Sequence, residues 1–594
     1  MTDHRTRFSV AWLTLILAIN MEAPAWAQDK SGLAAKIDPI FARWNSTESP
    51  GYAVGVVQNG ELVFAKGYGM ANLEYGVPIT AQSRFYIGSM SKQITAAAVA
   101  LLVQQGKVQL TDDVHKYVPE LPDYGHSITV DNLIHHTSGI RDWTSIHLFS
   151  GLDPRYEDRL DNSDVLQLIL RQRSLNFVPG TDFRYSSSGY ILLAKIVERA
   201  SGQTLPEFAK QNIFGPLGME HTLFDDNYAR ILPQRVESYR QVGNHHYERW
   251  LKHFNIYGDG GVISTVEDLA KWDTNFYRDQ LGNSGLVEML LTRGRLNSGE
   301  QIHYAFGLEL DTHNGYRVVK HNGGMLGFNV DMVRFPDQRL TVIVLGNSQD
   351  AYVTGLAFDI ADRLLPAKQA LNSKPSMVPA SQVTLTSDES KKYEGSYAIR
   401  DLNNRWVVRL KDGQLSVEGT EQRLLPVGPS KFRLLERDGV PSSPPAFVSF
   451  QAGKDDAMSM HFSSGAPLGS FDGDRYDPTL PSSLEELKPL IGKYRSDELH
   501  VTYSVWEDGG ELYMQLGTAK PISLFPRHDD PRVEWNSRSK VWIGFGMVTF
   551  VTGKDGAVTG LNIGDGWVKE VYFAKTESPS EVTKRKLQRE SAGN

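Results

Sequence analysis

The 594-residue chain contains no cysteine. It therefore cannot form a disulfide, bind a metal through thiolates or use a cysteine nucleophile. It also has no excess of positive charge, because 70 Asp and Glu residues outnumber 62 Lys and Arg residues and give a net charge of −8. Binding along a phosphate backbone needs a basic surface, so the net charge argues against nucleic acid as the main partner. We expect no metal and no other cofactor.

Long apolar runs are scarce as well. The one at residues 8–19 is shorter than the roughly 20 residues that a membrane-spanning helix needs. Arg5 and Arg7 precede it, and the small-x-small pattern of residues 25–27 follows it, as in a cleaved signal peptide (residues 1–27). We therefore expect a periplasmic or secreted protein that is cleaved near Ala27 and keeps no stable membrane span. An N-terminal membrane anchor is the alternative.

The first large unit covers residues 28–366. Strand-like segments occur at both ends of this stretch, and its middle is mainly helical. One sheet built from the two ends of the segment explains this order, so we predict a single α+β domain with an α/β sandwich. Residues 367–387 are polar with scattered Pro and Ser, which is typical of a linker.

The sequence pattern after the linker predicts β structure. Short alternating segments with turn signals follow the linker, and residues 448–457 match residues 548–557 at a constant offset of 100. This repeat predicts two small antiparallel β-barrels, at 388–477 and 484–576, with one long sandwich as the alternative. The last residues, 577–594, form a charged tail.

A serine and a lysine stand at the start of a predicted helix. Ser89 precedes an alanine-rich segment, and Lys92 follows three residues later on the same helix face. The first N–H groups of a helix have no intrahelical partner and can face the group that the serine attacks. This pattern predicts a serine nucleophile activated by lysine. Ser537 and Lys540 repeat the spacing between predicted strands, where the two side chains lie on opposite faces, so we discard that copy.

Two further segments support a catalytic role for Ser89. Tyr185 opens a second predicted helix, where its hydroxyl can exchange a proton with Lys92. His321-Asn322-Gly323 follows a predicted strand, where glycine lets a substrate carbonyl approach the backbone closely. The N–H groups of Ser89 and Gly324 would then form an oxyanion hole for acyl transfer.

Five motifs in this order resemble the class C β-lactamases and penicillin-binding-protein-like serine hydrolases over residues 35–365. They are Ser-x-x-Lys from Ser89, His-Thr-Ser-Gly from His136, Tyr-Ser-x from Tyr185, Gly-Gly-x-x-Ser-Thr from Gly260 and His-x-Gly from His321. The resemblance implies the β-lactamase/transpeptidase-like fold. It also implies that Ser89 is the nucleophile, Lys92 the base and proton shuttle, Tyr185 the partner acid/base and residues 321–323 the strand that docks substrate.

Two positions depart from the pattern of that family. Ser187 stands where the family usually has an asparagine, which leaves open the contact to the acyl-side amide of the substrate. His321 stands where β-lactamases and DD-peptidases have a lysine for the substrate carboxylate, so those substrates are less favoured. Aminopeptidases and esterases of the family commonly have His-x-Gly. We expect His136 to be structural.

A catalytic domain followed by two β-barrels is most similar to the D-aminopeptidase group. In that group a loop of the last domain enters the cleft and helps to select a free amino terminus. By position the candidate loop is residues 527–532, with Asp529 and Asp530 as carboxylates for an ammonium group.

The sequence thus predicts a secreted serine hydrolase that forms an acyl-enzyme on Ser89 and cleaves small peptides or amides as an exopeptidase. Esterase activity on a small ester substrate is the first alternative, and DD-carboxypeptidase or β-lactamase activity follows. An inactive sensor that binds peptidoglycan fragments or β-lactams is the alternative from a different class. The oligomeric state is left open.

Overall fold

The computed structural model describes most of the chain between residues 30 and 577. The described ranges are 30–151, 160–243, 246–250, 253–348, 353–366, 385–399, 404–411, 413–418, 422–435, 446–453, 458–463, 470–476, 484–508, 511–517, 521–524, 534–536, 540–543 and 546–577. The predicted signal peptide, the loop 527–532, Ser537 and residues 578–594 lie outside these ranges, as does most of the predicted linker.

The first unit combines one large antiparallel sheet with helices. Its strands are β1 (Tyr52–Gln58), β2 (Glu61–Tyr68), β3 (Met70–Asn72), β4 (Val77–Pro78), β5 (Phe85–Tyr86), β6 (Leu223–Phe224), β7 (Tyr239–Gly243), β8 (His246–Arg249), β9 (Val262–Ser264), β10 (Glu309–His313), β11 (Tyr316–Met325), β12 (Phe328–Phe335) and β13 (Leu340–Gly346). The large sheet has the order β10-β11-β12-β13-β1-β2, so it does join the two ends of the segment.

Helices cover both faces of this sheet. They are α1 (Lys30–Phe41), α2 (Lys92–Gln104), α3 (Val130–Ile134), α4 (Trp143–Phe149), α5 (Asn162–Leu170), α6 (Ser187–Ser201), α7 (Leu205–Ala209), α8 (Val266–Arg278), α9 (Leu286–Leu290) and α10 (Val353–Leu364). One apolar cluster packs α1 and α10 on one face, and a larger cluster packs α2, α6 and α8 on the other. The larger cluster surrounds α2, whose residues from Lys92 to Leu102 are all buried.

The structure adds detail to the sequence prediction for the first unit. Its C-terminal group of strands begins at Glu309, after a tight turn at residues 305–308 in which Gly307 has a φ of +69°. The mainly helical middle also contains the β7–β8 hairpin, whose short, charged strands carry little apolar alternation. A tight turn at Asn59-Gly60, where both residues have a positive φ, joins β1 to β2.

The second unit begins with α11 (Ser387–Lys391) and forms a closed antiparallel barrel. Its strands are β14 (Gly395–Ile399), β15 (Asn404–Lys411), β16 (Gln414–Val417), β17 (Arg423–Pro426), β18 (Lys431–Leu435), β19 (Phe447–Ala452), β20 (Met458–Ser463) and β21 (Ser470–Tyr476). Inward-facing side chains such as Tyr397, Phe432 and Phe450 fill it.

The third unit begins with α12 (Leu484–Leu487) and contains a nine-stranded antiparallel sheet. Its strands are β22 (Gly492–Ser496), β23 (Val501–Asp508), β24 (Glu511–Leu516), β25 (Ile522–Ser523), β26 (Glu534–Asn536), β27 (Lys540–Ile543), β28 (Gly546–Thr552), β29 (Val558–Gly564) and β30 (Val571–Glu577). Their order is β25-β24-β23-β22-β30-β29-β28-β27-β26, and the described strands form a half-barrel.

The two β units share a structural repeat, in line with the sequence. Tyr397 in β14 and Tyr494 in β22 each donate a hydrogen bond to the carbonyl four residues earlier, and each follows a glycine at a φ near +155°. The fold class predicted from the sequence is confirmed, and the limits of the individual domains stay predictions. In the described part of the chain, no helix combines the length and the hydropathy that crossing a membrane requires.

Candidate active site

Ser89 lies on a 3-10 turn, Gly88–Ser91, that leads directly into α2. Lys92 is the first residue of α2 and is fully buried, with its Nζ 3.2 Å from the Oγ of Ser89. The same Nζ donates a hydrogen bond of 2.7 Å to the main-chain carbonyl of Asp259. Burial lowers the pKa of Lys92 to about 8, although the nearby carboxylates of Asp259 and Asp142 oppose this change. A large neutral fraction near pH 8 is what a general base needs.

Tyr185 completes the group around Ser89. It lies just before α6, hydrogen-bonds to the side chain of Ser89, and has its ring 4.8 Å from the Nζ of Lys92. Burial raises the pKa of Tyr185 well above 10, and the hydrogen bond with Ser89 only partly offsets this. The phenol is therefore protonated near neutral pH and can give a proton to a leaving group.

The 321–323 segment lies in β11, beside the turn that carries Ser89. A Cβ added to Gly323 would lie 2.1 Å from the carbonyl oxygen of Ile87, and one added to Gly88 would lie 2.8 Å from the amide nitrogen of Gly324. Gly88 also has a φ of +50°. Both glycines are therefore required for the close approach of the two backbones, which brings Gly324 to the cleft beside Ser89.

His321 lies next to this segment but does not face the cleft. It is 2% exposed, its Nδ1 is 2.6 Å from the carbonyl oxygen of Asn322, and its Nε2 is 2.9 Å from the hydroxyl of Tyr304. Because a carbonyl only accepts, Nδ1 carries the proton and Nε2 accepts from Tyr304. Burial lowers the pKa of His321 to about 4, so the ring is neutral and cannot replace a lysine as a charged ligand.

Ser89 opens into a cleft of about 500 Å³. Apolar side chains form much of its wall, and three carboxylates accompany them. The lining residues are Tyr86, Gly88, Ser89, Asp142, Trp143, Thr144, Ser145, Leu148, Tyr185, Ser187, Phe254, Ile256, Asp259, Gly260, Gly324, Met325, Asp565 and Trp567. Among these described residues there is no lysine or arginine. The charged side chains among these lining residues are the three carboxylates, so the lining of the cleft is acidic.

The carboxylates of Asp142 and Asp259 differ in the number of hydrogen bonds that their oxygens already accept. Asp142 caps α4 at the N–H of Thr144 and also accepts a 2.6 Å bond from the N–H of Ser187. Asp259 accepts one bond of 2.8 Å from the indole N–H of Trp143 through Oδ2. Burial raises the pKa of Asp259, while the charge of Lys92 opposes this. Asp259 therefore has the freer carboxylate of the two.

The third unit contributes the loop between β29 and β30 to the cleft. The Oδ1 of Asp565 accepts the N–H groups of Trp567 and Val568, which folds the loop back on itself. Asn176 of the first unit binds the carbonyl of Trp567 and the N–H of Lys569, and thereby fixes the loop to the catalytic domain. The indole of Trp567 lies 5.6 Å from the ring of Tyr185.

A family model described as Beta-lactamase matches residues 34–364, which is more than half of the chain. The chain belongs to the beta-lactamase family. Penicillin-binding protein 4* of Bacillus subtilis is 31% identical over 370 residues, covering 58% of this chain and 78% of that relative. A D-aminopeptidase of Brucella anthropi is 24% identical over 552 residues, covering 89% of this chain and 96% of that relative.

Structural comparison supports the same fold. The octameric penicillin-binding protein homologue from Pyrococcus abyssi superimposes with a TM-score of 0.51 at 24% identity, covering 75% of this chain and all of that one. The alignment with the D-aminopeptidase includes the β units, so the predicted D-aminopeptidase-like architecture is confirmed. The chain is a serine hydrolase of the beta-lactamase family.

Within this beta-lactamase-family site, the structure brings together most of the residues that the sequence singled out. Ser89, Tyr185, Ser187 and Gly324 line the cleft. The other four lie beside it without lining it: Lys92, His321, Asn322 and Gly323. The roles assigned to all eight stay predictions.

The carboxylates Asp142 and Asp259 were not among the residues predicted from the sequence, and the loop of the last domain was expected at residues 527–532. That stretch lies outside the described residues, whereas the loop containing Asp565 and Trp567 lines the cleft. The available signals were local. Asp259 stands in a Gly-Asp-Gly-Gly turn, and Trp567 follows an Asp-Gly turn between two strands.

Proposed function

We propose that this protein is a periplasmic or secreted aminopeptidase-like hydrolase that forms an acyl-enzyme on Ser89. Its substrates are small peptides or amides with a free amino group close to the scissile bond. The observation that carries the proposal is the acidic cleft: Asp142, Asp259 and Asp565 line it together with Ser89, and none of the described lining residues is a lysine or arginine. The name of the similar D-aminopeptidase supports the same substrate class.

Acylation begins when the neutral amine of Lys92 takes the proton of Ser89 and the Oγ attacks the substrate carbonyl carbon. The resulting oxyanion accepts hydrogen bonds from the N–H groups of Ser89 and Gly324. Tyr185 donates its proton to the leaving nitrogen as the C–N bond breaks, and the ammonium of Lys92 returns a proton to Tyr185. A water molecule then attacks the ester, and the same groups work in reverse to release the acid and restore Ser89.

Asp259 is the group that best explains selection of an amine. A substrate ammonium group beside the Asp259 carboxylate takes the place of water as its hydrogen-bond partner. In a partly apolar cleft such a charge-assisted hydrogen bond is strong. A substrate carboxylate at this place would be repelled. No cationic side chain lines the described cleft, and His321 is neutral and bonded to Tyr304, which disfavours DD-carboxypeptidase and β-lactamase activity.

A matched set of chromogenic substrates tests the proposal. We expect turnover of D-alanine p-nitroanilide and little or no turnover of its N-acetylated form, because acetylation removes the positive charge and changes little else nearby. A p-nitrophenyl ester and nitrocefin complete the set. Equal rates on the free and acetylated anilides would overturn the aminopeptidase proposal, and a strong preference for the ester without regard to an amine would favour an esterase.

The location of the protein is tested separately. The N-terminal pattern supports export with cleavage after Ala27. We expect the native protein in the periplasmic or culture fraction, with a mature N-terminus at Gln28 by mass spectrometry. Recovery of the uncleaved chain from the cytoplasmic fraction would contradict this part of the proposal.

A further inference from the structure

We propose that His136 is a positioning residue that fixes Tyr185 at Ser89. The His136 side chain does not line the cleft and takes no part in the reaction proposed above. The positioning role rests on that reaction at Ser89. The geometry that supports it is local to the segment just before α6.

His136 holds the main chain on both sides of Tyr185. Its carbonyl accepts the N–H of Arg184 at 3.0 Å, and its ring Nδ1 accepts the N–H of Ser186 at 3.1 Å. Tyr185 is the residue between these two donors. One residue therefore anchors both flanking amides, and the Cα position and direction of Tyr185 follow from that anchoring.

The ring of His136 also packs against the tyrosine itself. The two ring centroids are 4.3 Å apart with an angle of 37° between the planes. The rings of Tyr304 and Tyr190 lie 4.6 and 5.2 Å from that of His136, so the imidazole is enclosed by aromatic groups. This packing restricts the rotation of the Tyr185 side chain about its own bonds.

The ionisation state of His136 suits this role. It is 1% exposed, and burial together with the charge of Lys92 lowers its pKa well below the usual value. The ring is therefore neutral. Since Nδ1 accepts from Ser186, the proton is on Nε2, which has no hydrogen-bond partner among the described residues and faces aromatic rings.

The backbone of His136 adopts a conformation that histidine rarely takes. It follows the end of α3 and has a φ of +58°, a conformation that glycine or asparagine normally supplies at this place. A histidine there costs about 1 kcal/mol or more of backbone strain. Glycine would remove the strain but also the Nδ1 acceptor and the ring contact.

A loop before a helix needs such an anchor. Ser186 is the N-cap residue of α6 but makes no side-chain capping bond, so the helix start does not hold Tyr185 by itself. Asp142 binds the next N–H, that of Ser187. Without the Nδ1 acceptor of His136, the N–H of Ser186, directly after Tyr185, loses its partner. A displacement of about 1 Å at a catalytic group can cost about 10²-fold in rate.

The test uses the rate at which Ser89 is labelled by a fluorophosphonate, because that rate does not depend on knowing the natural substrate. His136→Asn keeps an acceptor atom on Cγ and tolerates a positive φ, whereas His136→Phe keeps the ring and removes the acceptor. We expect His136→Phe to lower the labelling rate by about 10- to 100-fold and His136→Asn to retain most of it. If His136→Phe does not fold, His136→Gly takes its place in the test, because glycine suits the positive φ. His136→Gly should lower the labelling rate to the same extent.

Two controls separate positioning from general stability. His135→Asn removes a buried neighbour that contacts Asp131 and Thr292 and not Tyr185, and it should leave the labelling rate nearly unchanged. In a Tyr185→Phe background, His136→Phe should have little further effect, because both changes disable the same group.

The possible outcomes are distinct. Wild-type protein that is not labelled at all would contradict the proposed function. Labelled wild type with an equally fast His136→Phe or His136→Gly variant would overturn the positioning role and leave the proposed function standing. A full further loss in the Tyr185→Phe background, or an equal loss in His135→Asn, would also overturn it.

Discussion

At the scale of single residues, burial lowers the pKa of Lys92, as its predicted role as a general base requires. The pKa of about 8 is lower than the value of about 10.4 for a lysine in water. Lys92 in the folded protein therefore loses its proton at a lower pH than a lysine in water. Its neutral amine predominates above pH 8. We predict that the labelling rate of Ser89 rises with pH through about 8 and then levels off.

A substitution checks that assignment. Lys92→Arg keeps a cation that does not deprotonate in this range, so the rate should fall by about 10² to 10⁴-fold and the rise near pH 8 should disappear. Lys116→Arg, at a surface lysine paired with Asp112, is the control and should keep the wild-type profile. An unchanged profile in Lys92→Arg would contradict the role of Lys92.

The proposed selection of a substrate amine depends on Asp259. We predict that Asp259→Asn raises the KM for a free-amine anilide at least about tenfold, because a charge-assisted bond worth about 1.5–3 kcal/mol is lost. The KM for a p-nitrophenyl ester without an amine should change little. Asp337→Asn, at an exposed aspartate paired with Arg317, is the control. Equal changes in KM for both substrates would contradict the assignment.

At the scale of elements, the approach of β11 to the Ser89 turn shapes the predicted oxyanion hole. A methyl group on Gly88 would meet the amide nitrogen of Gly324 and would also strain a positive φ. We predict that Gly88→Ala lowers the labelling rate of Ser89 by at least about tenfold, since removing one oxyanion donor costs about 10²–10³.

Gly106→Ala is a matched control for this substitution. Gly106 lies two residues after the end of α2 at a φ of +70°, and a Cβ added there would meet nothing within 4 Å, so the change strains the backbone alone. We expect about 1 kcal/mol of lost stability in thermal unfolding and an unchanged labelling rate. A similar loss of labelling in both variants would show that backbone strain, and not the oxyanion hole, explains the result.

The elements also explain which parts of the site the sequence could predict. Ser89 and Lys92 are close because they are three residues apart, and Tyr185 was found because it stands just before α6. Residues 321–323 were expected to follow a strand, but they lie within β11, because the strand continues to Met325. Asp259 gave no such signal, because its meeting with Lys92 depends on how a turn packs against α2. Trp567 depends on the docking of a separate unit, which local patterns do not encode.

At the scale of the whole molecule, the third unit is docked to the catalytic domain by buried contacts. Arg141 is 1% exposed, pairs with Glu498 and donates to the carbonyl of Glu570. Ile146 and Phe149 of α4 belong to the apolar core of the third unit. The last unit and α4 therefore share one core, and the neighbouring Asp142 connects that core to the start of α6.

We predict that Glu498→Gln destabilises this docking by about 3 kcal/mol, because it leaves the charge of Arg141 buried without its counterion. Thermal unfolding with limited proteolysis should show release of the third unit at a lower temperature than in the wild type. Glu485→Gln removes an exposed pair with Lys488 and should change stability by less than about 0.5 kcal/mol. Equal effects of the two substitutions would contradict the docking role of Glu498.

The central claim is that Ser89 is the nucleophile of this hydrolase, and intact-mass spectrometry with peptide mapping tests it most directly. After incubation with a fluorophosphonate, we predict one covalent adduct on the peptide that contains Ser89, and no adduct in Ser89→Ala. An adduct that persists in Ser89→Ala, or a wild-type protein that stays unmodified by every acyl and phosphonyl donor, would contradict the account and favour a binding protein without hydrolase activity.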